Sequence, residues 1–319
     1  MCYSAMIWAS YHKYTKMSGA ILSIDEFVVL FELRANGGKV LIPKGMEAAF
    51  ADPQNEDERH IKTLIDAFRA SESTRFEQEI FKQRSRLVEA ERKLQVKATK
   101  AATESRRIAT HKIEWAMDKL ADLRRTEPKD NDARIYPGHY APVMVMENGQ
   151  RVIKPMRYQC RPAGKPALYD QKYPGTYNAR RDNLEGFWKG QFGHTHGIMV
   201  VNAFYENVNL HRAEGRELRD GEAVQNRVLE FKPRPTQDML VACLWSRWTA
   251  PGQADLLSFA AITDEPPPEV SQAGHDRCII PIQPDNIDAW LNPDPANLKA
   301  QYAILDDRER PYYEHRLAA

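Results

Sequence analysis

The stretch from Glu56 to Thr126 constrains the fold of this chain most, because it contains neither proline nor glycine. Glu, Lys, Arg, Gln and Ala dominate its composition and favour a helix, and its sparse apolar residues recur at helical spacing. A single helix of this length would span roughly 100 Å at 1.5 Å per residue. We therefore predict a break at Ser71 to Thr74, with Ser73 or Thr74 capping a long second helix.

The middle of this stretch, from Gln95 to Arg107, is almost entirely polar. It is either solvated, as in a coiled-coil arm, or faces a partner helix or nucleic acid. The composition changes on both sides of the stretch, so we predict that residues 52–128 form a helical arm. This arm is inserted into a discontinuous domain made of residues 1–51 and 129–292. Residues 293–319 are predicted to be a loosely packed C-terminal tail.

The remainder of the chain is predicted to be β-rich. After Pro128, turn signals such as Tyr136-Pro137-Gly138 separate short runs of β-branched and aromatic residues, a pattern typical of strands. Short helices are predicted at Ile24–Leu33 and Asn286–Leu291, and a polar hairpin loop at Arg212–Arg227. The fold class is therefore α+β, a compact β-rich domain with barrel-like, mostly antiparallel sheets and an inserted helical arm. The predicted strands are Val143–Glu147, Val152–Pro155, Gly197–Tyr205, Met239–Leu244, Leu257–Thr263 and Cys278–Ile282.

The charge balance and the cysteine spacing exclude several classes of protein. Lys+Arg 45 against Asp+Glu 44 leaves a net charge of +1, so any nucleic-acid contact requires a local basic groove. The four cysteines form no CxxC pair, which argues against a structural zinc site and favours a reducing, cytoplasmic setting. His194 and His196 could share a strand face, but no further ligand follows at metal-binding spacing, so we predict no metal and no cofactor. We also find no signal-peptide pattern and no apolar run of ~18 residues.

Cys2 stands directly after the initiator methionine. Removal of Met1 would leave an α-amine with a pKa of ~7.7–8.0 and a thiol with a pKa of ~8.5 on the same residue. The amine can condense with an aldehyde, and the thiol can then close a five-membered thiazolidine ring, which no internal cysteine can do. Taken alone, Cys2 is better explained as an incidental small residue.

Three further stretches stand out beside Met1-Cys2. They are Tyr177-Asn178-Ala179-Arg180, Phe204-Tyr205-Glu206 at the end of an apolar run, and Gly274-His275-Asp276-Arg277. Taken singly, each has a structural explanation: Asn178 could cap a helix over Arg181–Trp188, and Glu206 and His275 could lie at the surface. Taken together and in this order, the four stretches resemble the SRAP family, the SOS response-associated peptidase domain.

The resemblance implies a protein that shields abasic sites in single-stranded DNA through a covalent bond to Cys2. Glu206 would transfer protons during imine formation, and His275 would donate a proton to the departing sugar oxygen or activate water for reversal. Asn178 would orient the Cys2 amine or the sugar. The DNA-binding residues that the resemblance implies are Arg157, Tyr177, Arg180, Arg181 and Arg277.

The chain departs from the family pattern at two positions that concern DNA binding. Tyr3-Ser4 replace the common Gly-Arg after the cysteine, which removes a phosphate contact, and Asn207 replaces a tryptophan that could stack on a base. Two other functions therefore remain open. One is a cysteine peptidase with Cys2 as nucleophile and His275 as base. The other is a non-catalytic DNA-binding scaffold in which the helical arm makes the contact.

Overall fold

The structure, a computed structural model, describes residues 4–7, 15 and 19–318, so Cys2 lies outside the described residues. The described residues divide into two units. The larger unit comprises the described residues within 1–30, 39–52 and 130–319. The smaller unit comprises residues 31–38 and 53–129. Among the helices that the structure describes, none is both long and apolar enough to cross a membrane.

The strands of the larger unit form one mixed sheet. They are β1 (Ser4–Ile7), β2 (Ile21–Leu22), β3 (Arg134–Ile135), β4 (Tyr140–Glu147), β5 (Gln150–Tyr158), β6 (Asn178–Arg180), β7 (His196–Asn209), β8 (Asn226–Arg234), β9 (Met239–Trp248), β10 (Leu256–Asp264), β11 (Cys278–Ile279) and β12 (Tyr312–Leu317). The described helices are α1 (Ile24–Ala35), α2 (Lys44–Ala48), α3 (Glu56–Val96), α4 (Lys100–Arg124), α5 (Tyr169–Lys172), α6 (Leu210–Ala213), α7 (Pro268–Gln272), α8 (Ile287–Leu291) and α9 (Leu298–Asp306).

Five strands close into a ring, in the order β4, β5, β10, β9 and β7, with β7 pairing again with β4. Only the β5–β10 pair in this ring is parallel. Closure pairs both edges of each strand and encloses side chains such as Val143, Met156 and Phe259, which are fully buried. The predicted α+β fold with a barrel-like sheet and a long helical arm is confirmed.

Strand β7 organises the larger unit because it pairs with β1, β4, β8 and β9. Eleven of its fourteen residues are buried, as expected for a strand that is covered on both faces. The predicted strand ended at Tyr205, but β7 continues to Asn209. Glu206 therefore lies inside a buried strand rather than at an exposed strand end.

The prediction of a loosely packed C-terminal tail is wrong. Helix α9 buries Ile304 and Leu305, and all six residues of β12 pair with β8. Tyr313 of β12 packs edge-on against Phe204 of β7, with ring centroids 5.1 Å apart. The strand was missed because most of its side chains are polar and exposed, so the sequence shows little of the apolar pattern of a strand.

The predicted helix break at Ser71 to Thr74 is also wrong, because α3 continues through these residues. The Thr74 hydroxyl donates to the carbonyl of Ala70 at 3.1 Å, so it is satisfied within the helix and does not act as a cap. The break instead lies between Val96 and Lys100. There, the Thr99 hydroxyl accepts the Ala102 N–H at 3.2 Å and caps α4.

Helices α3 and α4 pack against each other as a hairpin. Buried residues recur every seven positions on each helix. They are Phe76, Gln83 and Ala90 on α3, and Ala102, Ala109 and Ala116 on α4. Seven residues correspond to nearly two helical turns, so this spacing keeps the small alanine side chains on the side that faces the partner helix.

Candidate functional site

The fold brings together two of the predicted site residues, Glu206 and His275. Glu206 of β7 is fully buried, and His275, in the loop before β11, is 8% exposed. The His275 Nε2 atom lies 3.2 Å from Glu206 Oε2. Neither residue is therefore a surface residue, and the two side chains form a buried acid–base pair.

Gly274 determines how the chain enters His275. Its φ of +94° lies in a region that favours glycine, and it follows the end of α7, where left-handed residues commonly terminate helices. A Cβ atom at this position would lie 3.1 Å from the backbone nitrogen of Ala213 and 3.3 Å from the Arg212 carbonyl carbon. The close approach of α6 therefore leaves little room for a side chain immediately before His275.

The imidazole of His275 is neutral at physiological pH. Burial lowers the pKa of His275 to about 4, although the nearby Asp276 carboxylate acts in the opposite direction. His275 Nδ1 lies 2.9 Å from the Arg277 carbonyl oxygen and 3.3 Å from the Arg277 N–H. A neutral imidazole has one donor and one acceptor nitrogen. With the hydrogen on Nδ1, Nε2 can accept a proton; with the hydrogen on Nε2, the N–H group lies 3.2 Å from Glu206 Oε2, measured from the nitrogen.

The three cysteines that the structure describes are poor nucleophiles. Cys160, Cys243 and Cys278 are all buried. Burial raises the pKa of Cys160 to about 12 and raises the pKa of Cys243 and of Cys278 still further. Because the thiolate is the reactive form, these three side chains are expected to be inert, and Cys2 is the one remaining cysteine of the chain.

Strand β1 begins next to the Glu206 region of β7. It pairs antiparallel with β7, and Ser4 lies opposite Tyr205, the residue before Glu206. The Ser4 hydroxyl accepts a hydrogen bond from Arg134 Nε at 3.0 Å. The Arg134 guanidinium also lies over the Tyr205 ring, 3.7 Å from its centroid, so one buried cation contacts both strands.

Sequence reasoning missed Arg134. It is 8% exposed, and none of the carboxylates that the structure describes forms an ion pair with it. Its position depends on the pairing of β1 with both β3 and β7. These pairings bring together residues that are more than a hundred positions apart in the sequence, such as Ser4 and Arg134. The one signal in the sequence is that Arg134 stands directly before Ile135 and the predicted turn Tyr136-Pro137-Gly138.

Asn178 lies on β6, which pairs in parallel with β10. Its partner is Ala261, and two residues later Arg180 lies opposite Thr263. On the other side of β10, Thr263 pairs with Ile279 of β11, so β6 and the strand after His275 flank the same end of β10. Asn178 is buried within a strand, and the interpretation of Asn178 as a helix cap is therefore wrong.

Arg180 and Arg277 are brought together at one carboxylate. Asp182 lies 3.6 Å from Arg180 Nε and 3.5 Å from Arg277 Nη2. The side chains of Asp182 and Arg180 are 61% and 49% exposed, so they form a weak surface pair, whereas the Arg277 side chain is only 13% exposed. The two arginines thus form a cationic edge beside the loop that carries His275.

The other three predicted DNA-binding residues are engaged within the fold. Arg157 donates to Asp170 at 2.8 Å, and Arg181 forms ion pairs with Asp264 and Asp306. Tyr177 is 8% exposed and packs edge-on against Tyr158, with ring centroids 5.6 Å apart.

The two histidines considered as metal ligands do not form part of a metal cluster within the described ranges, where no group of three or more potential ligands occurs. His196 instead accepts the Gly193 N–H at 2.9 Å through Nε2, while Nδ1 lies 3.0 Å from the Trp290 carbonyl oxygen. Its ring also packs on Trp290, with centroids 4.0 Å apart. Burial lowers the pKa of His196 to about 3, so this histidine is a neutral core residue.

Comparison with known proteins places the chain in a family. Residues 95–316, more than half of the chain, match the family model of the SOS response associated peptidase (SRAP). The chain therefore belongs to the SRAP family. The search of curated proteins found no match.

Several solved structures are similar to the chain at low sequence identity. A protein from Bordetella bronchiseptica is 16% identical with a TM-score of 0.45, over 59% of this chain and 87% of that one. A protein from Bacteroides thetaiotaomicron is 10% identical with a TM-score of 0.46, over 59% and 78%. A phage-related protein from Bordetella bronchiseptica is 17% identical with a TM-score of 0.43, over 58% and 81%.

Proposed function

We propose that the protein captures abasic sites in single-stranded DNA by forming a thiazolidine at Cys2 after removal of Met1. The observation that carries this proposal is the buried Glu206–His275 pair, next to the strand that leads back to Cys2. Membership of the SRAP family supports an activity connected with the SOS response, and hence with DNA.

The position of Cys2 in the sequence, two residues before Ser4, supports a role for it at the Glu206–His275 pair. Ser4 lies opposite Tyr205, and in an antiparallel pair the chain before Ser4 leaves from the same end as the chain after Tyr205. Each extended residue spans at most about 3.6 Å, so Cys2 is within about 7 Å of Ser4 along the chain. Glu206, the residue after Tyr205, lies at the same end of this strand pair as Ser4.

The proposed reaction joins one aldehyde to one aminothiol with loss of one water. The deoxyribose of an abasic site opens to an aldehyde, and the Cys2 amine adds to its carbon to form a carbinolamine. Loss of water then gives an imine, whose carbon accepts the Cys2 sulfur while its nitrogen takes up the thiol proton. The product is a five-membered ring, and its hydrolysis by the reverse steps would release the DNA.

Glu206 and His275 would move the protons in these steps. A carboxyl and an imidazole within hydrogen-bonding distance can act as general acid and base, and the neutral state of His275 leaves it able to accept a proton. His275 would accept the proton that the Cys2 amine loses on adding to the aldehyde, and Glu206 would protonate the departing hydroxyl of the carbinolamine. The proton held by His275 would then pass to the Glu206 carboxylate. Asn178 would orient the sugar or the amine through its amide.

Arg180 and Arg277 would bind the DNA phosphates next to the abasic site. The exposed Asp182 carboxylate lies next to both guanidinium groups, and a phosphate could replace this carboxylate because arginine binds both anions in a similar way. Arg134, which lacks a carboxylate partner among the described residues, would hold Ser4 in place and contribute positive charge near Glu206. Arg157, Arg181 and Tyr177 would support these groups through packing and ion pairs.

The proposal is tested by denaturing gel electrophoresis of the protein with single-stranded DNA that carries one abasic site. We expect a slower, denaturation-resistant band that requires both Cys2 and the abasic site, and therefore disappears with Cys2→Ala and with intact DNA. The absence of this band from protein whose mass shows loss of Met1 would refute the proposal. Turnover of a peptide without DNA, dependent on Cys2, would instead support the peptidase.

A further inference from the structure

The helical hairpin of α3 and α4 has an uneven distribution of charge. Residues 82–112, its distal part, contain ten Lys and Arg but three Asp and Glu. Residues 53–81 contain four Lys and Arg against seven Asp and Glu, and residues 113–129 contain four of each. The distal part therefore carries a charge of +7, although the whole chain carries +1.

Most of these distal cations are exposed and lack an ion-pair partner. The ion pairs of the distal cations are Lys93 with Glu89, Arg107 with Glu104, and Lys112 with Glu79. Six further cations form no ion pair with any carboxylate of the described residues, and all six are exposed. They are Lys82, Arg84, Arg92, Lys97, Lys100 and Arg106.

Four residues on α3 form a stripe that combines cations with apolar side chains. Phe81, Arg84, Val88 and Arg92 are spaced by three, four and four residues, so they lie within an arc of about 80° on one side of the helix. Phe81 is 75% exposed and Val88 is 55% exposed. Phe81 therefore presents most of its ring to solvent on the same side of the helix as Arg84 and Arg92.

The combination of exposed cations and exposed apolar side chains is suited to binding the backbone and bases of single-stranded nucleic acid. Exposed Lys and Arg neutralise phosphates, and an exposed aromatic ring provides a surface on which an unpaired base can stack. A lipid bilayer fits less well, because interfacial helices bury a broad apolar face and this stripe offers two apolar side chains. We propose that the distal part of the hairpin, residues 82–112, together with the adjoining Phe81, is a binding surface for single-stranded nucleic acid.

This surface would act independently of covalent capture, since it contacts phosphates and bases rather than an aldehyde. It would bind intact single strands and raise the local concentration of DNA for the site in the larger unit. Because it involves no cysteine chemistry, it would remain functional in a Cys2→Ala variant.

The test measures binding of a fluorescent, intact single-stranded oligonucleotide by anisotropy over a range of salt concentrations. The distal variant is Arg84→Gln with Arg92→Gln. The matched control is Arg59→Gln with Lys119→Gln, which removes two exposed, unpaired cations from the proximal part of the same hairpin. Glutamine is a good helix former, and circular dichroism verifies that both variants retain their helices.

We expect the distal variant to reduce the magnitude of the salt slope by about 1.4, since each phosphate contact contributes about 0.7 on single strands. This corresponds to roughly 20-fold weaker binding at 0.1 M salt, whereas the control changes binding by less than about twofold. Phe81→Ala should weaken binding of the single strand more than binding of a duplex.

Equal effects of the distal and control variants would overturn the proposal, because the binding would then depend on overall charge. An unchanged affinity in the distal variant would also overturn it, as would binding to anionic phospholipid vesicles but not to the oligonucleotide. Because the oligonucleotide lacks an abasic site, none of these outcomes depends on whether Cys2 forms a crosslink.

Discussion

The buried, neutral state of His275 predicts a loss of stability in mild acid. The unfolded chain has a histidine pKa of about 6.5, whereas burial lowers the pKa of folded His275 to about 4. Between these two values, the unfolded chain takes up a proton that the folded protein does not, so the free energy of unfolding decreases as the pH falls. Linkage gives a loss of about 2 kcal/mol from this residue between pH 8 and pH 5.

His196 provides a matched control for this prediction. It is also buried, and its pKa is lowered to about 3, so the same calculation gives about 2 kcal/mol over the same interval. His275 contacts Glu206 at 3.2 Å, whereas His196 bonds to Gly193 and packs on Trp290. Both residues contribute to the pH dependence of stability, but only His275 belongs to the proposed site.

Urea unfolding, followed by tryptophan fluorescence at pH 8 and pH 5, measures the predicted effect. In each of His275→Gln and His196→Gln, the difference in unfolding free energy between the two pH values should be about 2 kcal/mol smaller than in the wild type. Crosslinking at pH 7.5 should slow at least about 100-fold with His275→Gln and remain within about threefold with His196→Gln. A pH dependence of stability unchanged by His275→Gln would refute the assignment of a buried neutral imidazole.

Three further predictions concern residues around the site. Asp182→Asn should tighten binding of intact single-stranded DNA in an anisotropy assay, because it frees Arg180 and Arg277; weaker binding would contradict this role. Gly274→Ala should slow crosslinking and destabilise the protein by about 1–2 kcal/mol in urea, owing to its positive φ; wild-type values would contradict it. Arg157→Gln should lower stability by about 3 kcal/mol, since it weakens the partially buried Asp170 network; a loss of DNA affinity alone would contradict it.

The sequence predicted the strands of the central sheet because they contain continuous apolar runs. Met239–Leu244 and Leu257–Thr263 lie within β9 and β10, both of which are largely buried. β12 carries Glu314, His315 and Arg316 at exposed positions, so pairing with β8 rather than an apolar pattern holds it in the sheet.

The helical arm shows a different limit of sequence reasoning. The absence of proline and glycine predicts helix correctly, but hydroxyl residues inside a helix resemble caps when only the sequence is known. Thr74 bonds back to Ala70, whereas Thr99 caps α4. Ser73 likewise does not act as a cap, since its hydroxyl accepts a hydrogen bond from Arg124 of α4 at 2.9 Å.

The resemblance to the SRAP family identified Glu206 and His275 as site candidates, and the fold explains how they meet. Their contact requires β7 and the loop after α7 to converge, although about seventy residues separate them. Composition and periodicity carry no information about such a contact. The same applies to Arg134, which reaches Ser4 and Tyr205 through strand pairing.

Mass spectrometry of the purified protein–DNA adduct tests the central claim most directly. Digestion with a protease and a nuclease should leave the abasic nucleotide on the N-terminal peptide. We predict a peptide that begins at Cys2, with a mass equal to peptide plus nucleotide minus one water, and fragment ions that place the addition on Cys2. An adduct on a lysine, on Cys160 or on a peptide that retains Met1 would contradict the proposed mechanism.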